Sequence, residues 1–165
     1  MKQKTARDLL FLERTSQVRE LTNEELEQWH DLARILFSHI ENAEHKRKAT
    51  RLTIKTEATA EINGKIHNCS ITELSQVNLT LSYDDFDDIG LGDYLVLKTV
   101  LVNGAFITLN LKCKIMRLRT DENGKPSAGL EVAADAPKEI NRIFFQNIYY
   151  PLYIKFLENI AAGTP

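Results

Sequence analysis

The chain reads as a mainly β protein with flanking helices, its strands closing into an antiparallel barrel. From Leu52 onward, apolar residues alternate with polar ones at a period of two. The dipeptide Asn-Gly recurs at 63–64, 103–104 and 123–124, each time between strand-like runs. Asn-Gly supplies the positive φ angles that a type I′ hairpin demands, so three such turns in roughly sixty residues mark antiparallel pairing. The residues ahead of this region repeat at helical spacing instead. A length of 165 residues supports one compact domain plus an extension.

Residues 5 to 20 are expected to form a short helix whose apolar positions are Leu9, Leu10, Leu12 and Val18. Thr22 and Glu25 stand at capping-box spacing, where each side chain satisfies a free backbone N–H of the other. Behind them Leu26, Trp29, Ala33, Leu36, Ile40 and Ala43 recur at alternating steps of three and four, and Leu32 and Phe37 widen the stripe. Two readings fit this seam: a helix packed on its own domain, or self-association through helix 23–44.

The first strand carries Leu52, Ile54, Thr56, Ala58, Ala60 and Ile62 on one face, and after Asn63-Gly64 an extended segment runs to about Leu81. Past Asn103-Gly104, Ile107, Leu109, Leu111, Cys113 and Ile115 face one way and Thr108, Asn110, Lys112 and Lys114 the other. At Met116 the phase flips, which a β-bulge near 115 and 116 explains. A last strand, Ala128–Val132, leads to Asp135-Ala-Pro, where Asp135 is expected to cap a helix with Pro137 in its first turn. That helix presents Ile140, Ile143, Phe144 and Ile148. Pro151 is expected to interrupt it, with Leu152 to Ile160 resuming as a second piece. Tyr149, Tyr150, Tyr153 and Phe156 have only Lys155 nearby as a basic anchor, so they read as core or oligomer packing, not as a membrane-surface helix.

Charge narrows the function. The formal net charge of -2 argues against a duplex nucleic-acid binder, which carries a broad basic face. Locally the balance is uneven. Four of the seven residues from 45 to 51 are Lys or Arg, whereas Asp84, Asp85, Asp87 and Asp88 form an acidic patch. One basic knot suits a small anionic ligand. Cys69 and Cys113 are too few for a disulfide framework and read as buried, reduced thiols. Near the start the longest apolar run is Leu9–Leu12, too short for a signal peptide or membrane span, so a cytoplasmic protein is expected and the sequons at Asn68 and Asn78 are read as accidental.

Enzyme readings find little support. His30, His39, His45 and His67 stand at no metal-ligand spacing with Cys or carboxylates. Gly90-Leu-Gly92 lacks the rest of a phosphate loop, and Asp84 to Asp88 lacks the glycine and terminal glutamate of an EF-hand.

The knot itself has internal order. Arg47-x-x-x-Arg51 is followed some twenty residues later by Glu73-x-Ser75-x-x-Asn78. This pairing resembles the signature of the PilZ domain, a bacterial receptor for cyclic di-GMP, in which Arg-x-x-x-Arg precedes Asp/Asn-x-Ser-x-x-Gly. The first half is intact; in the second, Glu73 replaces Asp or Asn and Asn78 replaces Gly. Ile89–Leu97 is similar to the family's glycine-led strand opening, and Ala128-Gly-Leu-Glu-Val to its closing strand. An alternative register, Asn68-Cys-Ser70, puts Glu73 in the glycine place and deprives Leu79–Leu81 of its strand position.

The resemblance implies a six-stranded antiparallel PilZ-type β-barrel with an N-terminal helical extension and a C-terminal helix. Its layout would be an extension over 1–44, the barrel and helix over 45–150, and a helical tail over 151–165. It implies that Arg47 and Arg51 close over cyclic di-GMP, with Lys46 and Lys48 adding charge. Guanidinium pairs bidentately with phosphate or with guanine O6 and N7. By the same resemblance Glu73 accepts from the guanine edge, with a reach longer by one methylene, and Ser75 anchors the turn or a ligand atom. Asn78 stands where Gly lets the chain curve, and asparagine tolerates the left-handed conformation better than other side chains. No catalytic cofactor is implied; the partners are cyclic di-GMP and an effector protein. Taken alone, residues 45–51 also read as a solvated basic linker, and the downstream match decides against that. The competing functional reading is a degenerate PilZ-like adaptor that binds no nucleotide and acts through protein contacts.

Overall fold

The computed structural model describes residues 2–37, 51–84, 86 and 89–163. They form two compact units, one of Arg51–Leu152 and one made of the residues before Arg51 together with those from Tyr153 onward.

In the unit built from the chain ends, α1 spans Lys2–Ser16 and α2 spans Asn23–Leu36. Ala6, Leu9, Leu10 and Leu12 are buried, as the helical spacing requires. Val18, expected on that apolar face, lies beyond the end of α1 and is exposed. The Thr22 capping box is present: Glu25 N–H donates to Thr22 Oγ1 at 3.2 Å, and Thr22 N–H donates to Glu25 Oε1 at 3.0 Å. Arg19 holds both oxygens of Glu25 at 2.8 and 3.0 Å. Its hydrogen bond and the Thr22 amide lower the Glu25 carboxyl to about 2. Along the seam Leu36 is buried, Trp29 and Ala33 half-buried and Leu26 exposed; Ile40 and Ala43 lie outside the described residues.

A buried carboxylate ties this unit together. Glu13 accepts from Trp29 Nε1 at 2.7 Å and from the Tyr153 hydroxyl at 2.9 Å, while Phe37 stacks on Phe156 with ring centroids 6.0 Å apart. Three chain segments thereby share one polar centre.

The second unit is a closed barrel of six antiparallel strands: β1 Leu52–Ile62, β2 Lys65–Leu74, β3 Asn78–Ser82, β4 Tyr94–Val102, β5 Ala105–Thr120 and β6 Pro126–Val132. Their order around the barrel is β1-β2-β3-β6-β5-β4. The alternation expected for β5 holds, with Leu109, Leu111, Cys113 and Ile115 buried. Leu52, Ile71, Leu74, Leu81, Leu95, Leu97 and Leu111 complete the interior, each contributing roughly 1.5–3 kcal/mol through removal from water. The phase flip is a bulge, since the β5–β6 register slips between Ile115 and Arg117.

Two of the three Asn-Gly turns are two-residue hairpins. Asn63 and Gly64 have φ of 50 and 80°, Asn103 and Gly104 of 49 and 88°, as type I′ requires. The third departs from expectation. Asn123 is not left-handed; the connection is a five-residue loop in which Asp121 Oδ1 accepts from the amides of Asn123 and Lys125. An Asx turn has replaced the tight hairpin. The extended run expected from 65 to 81 is likewise divided, at Ser75–Val77, into β2 and β3.

After β6 come α3 (Lys138–Ile143), a π-helical segment (Phe144–Tyr149) and α4 (Tyr150–Ala161). Two expectations are corrected here. Asp135 does not cap α3: Pro137 occupies the N-cap without a side-chain bond, and Asp135 pairs with Lys112 at 3.3 Å. Pro151 does not interrupt the helix. The preceding π turn bonds Tyr150 N–H to Phe145 O, and Pro151 falls in the first turn of α4, where its missing N–H removes little. Phe144 and Ile148 are buried, and the Phe145 ring stacks on Tyr149. Of the aromatic cluster, Tyr149 and Tyr153 are buried and Tyr150 and Phe156 half-buried.

Candidate functional site

The two sequence motifs meet at the entrance to β1. Leu52 pairs with Leu74 and Thr53 with Glu73 across β1 and β2, so Arg51, one residue ahead of the strand, lies beside the second motif. Arg51 Nη1 donates to Glu73 Oε2 at 3.1 Å. The arginine side chain is 17% exposed and the glutamate 40%, so the contact sits at the edge of solvent. Lys46, Arg47 and Lys48 lie outside the described residues.

Ser75 is spent on its own turn. Its Oγ accepts from Asn78 N–H at 2.9 Å and from Val77 N–H at 3.3 Å, and donates to Asn78 O at 3.3 Å. Ser75 N–H also donates to Asn78 O at 2.8 Å. A hydroxyl offers one donor and two lone pairs, and all are engaged here. Ser75 therefore fixes the β2–β3 connection, two residues from Glu73, and is buried.

Asn78 corrects a further expectation. It is not left-handed: the only non-glycine residues with positive φ among those described are Asn63 and Asn103. Asn78 opens β3 and pairs with Glu131 of β6. The departure from glycine therefore costs the turn nothing in backbone strain; its consequence is a half-buried side chain two residues before Thr80, the cross-strand partner of Glu73.

Register extends the site beyond the motifs. Glu73 pairs with Thr80, Thr80 with Gly129, and Gly129 with Arg117. Leu79, Leu81, Ala128 and Leu130, which flank the middle of this row, are buried in the barrel, so the row lies on the outer face. A Cβ on Gly129 would stand 2.9 Å from Arg117 Nε and 3.4 Å from Arg117 Cβ. The guanidinium lies over the glycine backbone. Neither Thr80 nor Arg117 was singled out by the motif pattern, and only the phase flip near Met116 signalled that something unusual happens there.

Chemically, this face offers a planar cation paired with a carboxylate at one end, a floor of small residues, and a second guanidinium at the other end. Such groups bind phosphate or the edge of guanine. A separate groove of about 350 Å³, further along β1 and β2, is lined by Glu57, Asp84 and Lys125 among others. Two carboxylates against one amine make it a poor place for an anion.

No family model matches the sequence, and no curated protein matches it. Among solved structures the chain is similar to the Bacillus subtilis inhibitor of motility MotI/DgrA, with a TM-score of 0.53 and 12% identity over 67% of this chain and 51% of that one. It spans about half the length of that protein. It is also similar to the PilZ domain of YcgR from Escherichia coli, solved with c-di-GMP, with a TM-score of 0.50 and 8% identity over 73% of this chain and 99% of that one. What is shared at such identities is the fold. The closed six-stranded antiparallel barrel of this chain, with its flanking helices, is a barrel of the PilZ type.

Proposed function

We propose that the chain is a non-catalytic cytoplasmic receptor for cyclic di-GMP that passes the level of this nucleotide to a partner protein. One observation carries the reading. Arg51 of the first motif and Glu73 of the second, 22 residues apart in sequence, meet at 3.1 Å on a barrel of the PilZ type. The fold shared with the YcgR domain, itself solved with c-di-GMP, supports the same ligand class. Arg51 and Arg47 would engage phosphate or guanine, Lys46 and Lys48 would add charge, and Glu73 would accept from a guanine N–H. Ser75 would act by holding Glu73 in place, and Asn78 would border the ligand. On binding, Arg51 would exchange its carboxylate partner for the ligand, and that exchange would be the signal read by the effector.

The test is calorimetric titration with cyclic di-GMP of the wild-type chain, Arg47→Ala and Arg51→Ala. Loss of binding in both variants, with unchanged thermal unfolding, supports the receptor. Unchanged affinity in both variants rejects the site.

A second reading has its own support. The ion pair also satisfies Arg51 internally, as expected of an adaptor that has given up its ligand and works through protein contacts or self-association along helix 23–44. The absence of any ligand-induced thermal shift, together with concentration-dependent association in sedimentation, would favour it.

A further inference from the structure

We propose that Arg117 is an additional nucleotide-binding residue, set across a shelf of small side chains from Arg51, and that Gly129 is glycine so that this arginine can lie flat against the sheet. The proposal rests on the receptor reading above. Three features lead to it.

The first is the bulge. Under strict alternation Arg117 would share the inward face of Ile115, which is buried in the barrel. The register slip between Ile115 and Arg117 turns the arginine onto the outer face instead. Bulges recur beside active sites because they re-aim one side chain.

The second is the glycine. Gly129 has no left-handed φ, so the backbone does not demand it. A side chain there would push Arg117 away from the sheet, because its Nε and Nη2 lie 2.9 and 3.3 Å from the position a Cβ would occupy. A missing Cβ lets a planar group approach the backbone closely.

The third is the spacing. Glu73, Thr80, Gly129 and Arg117 are successive cross-strand partners, so three interstrand gaps separate the ends, about 14 Å at the usual spacing. Cyclic di-GMP carries two phosphates and two guanines and needs cationic or donor groups at more than one point. Arg51 supplies one end of the shelf and Arg117 the other, and Thr80 and Gly129 raise no wall between them. In the neighbouring row Lys114 stands opposite Glu131 and offsets that carboxylate.

The experiment is titration of the full chain with cyclic di-GMP, comparing wild type with Arg117→Ala, Arg117→Lys, Gly129→Ala, the double variant Arg117→Ala with Gly129→Ala, and Arg51→Ala, with thermal unfolding of each. Loss of one charge-assisted contact should weaken binding by about tenfold or more in Arg117→Ala. Arg117→Lys should recover only part of this, since a point charge replaces a planar fork. Gly129→Ala should weaken binding when Arg117 is present and add nothing when it is absent, which a purely structural role would not produce. If Arg117→Ala is too unstable to titrate, the Arg117→Lys and Gly129→Ala pair carries the test. Wild-type affinity in those variants, with Arg51→Ala impaired, overturns this inference and leaves the receptor standing. No binding by wild type overturns both.

Discussion

Ser75→Ala separates an anchor of the turn from a contact with the ligand. The serine is 3% exposed, and its hydroxyl receives the Asn78 amide at 2.9 Å and the Val77 amide at 3.3 Å. Alanine strands the Asn78 N–H inside the turn, at a cost of about 1–3 kcal/mol for a buried donor left without a partner. The Val77 bond is longer and Val77 is half exposed, so water replaces most of it. The Ser75 N–H bond to Asn78 O survives the substitution. The net loss is therefore about 2 kcal/mol, a fall in Tm of about 4–8 °C for a chain of this size. Urea unfolding followed by circular dichroism should show a midpoint lower by roughly 1 M with an unchanged slope. A midpoint equal to wild type, together with a large loss of nucleotide affinity, would refute the reasoning and make the hydroxyl a ligand contact.

Three further outcomes follow from the same geometry. Glu73→Asp with Asn78→Gly should tighten cyclic di-GMP binding in calorimetry, because the shorter carboxylate releases Arg51; glycine at the start of β3 should cost about 0.5–1 kcal/mol of stability in urea. Burial pushes the Cys69 and Cys113 thiols up to about 12, so neither should react with a disulfide reagent at pH 8 in the native state, and both should react in denaturant. The Glu25 carboxyl is held at about 2, below its ordinary 4.5, first by the Arg19 hydrogen bond. Its contribution to helix stability is thus complete above pH 4.5 and lost as pH falls toward 2, which a carbon NMR titration of that carboxyl should trace and Glu25→Gln should abolish.

Much of the barrel was legible because its signals are local. The alternation in β1 and β5 and the left-handed Asn63 and Asn103 depend on residues close in sequence, and the slip at Met116 shows in the pattern itself. Other features depend on partners that the linear order hides. Asp135 has capping chemistry but finds Lys112 of β5 instead, and a π turn accommodates Pro151 before it can break the helix. Asp121 converts an Asn-Gly site into a longer loop. The motif pattern located Arg51, Glu73, Ser75 and Asn78 in one neighbourhood. It did not show that Arg51 and Glu73 bond to each other, because that follows from the β1–β2 register. Arg117 was hidden most fully, since its place on the outer face depends jointly on a bulge in β5 and a glycine in β6.

The most direct measurement is calorimetry of the wild-type chain with cyclic di-GMP, with GTP as control. Saturable binding at micromolar or tighter affinity, absent with GTP and lost in Arg51→Ala, is the result expected of a receptor. No heat and no thermal shift at high concentrations of cyclic di-GMP would contradict it.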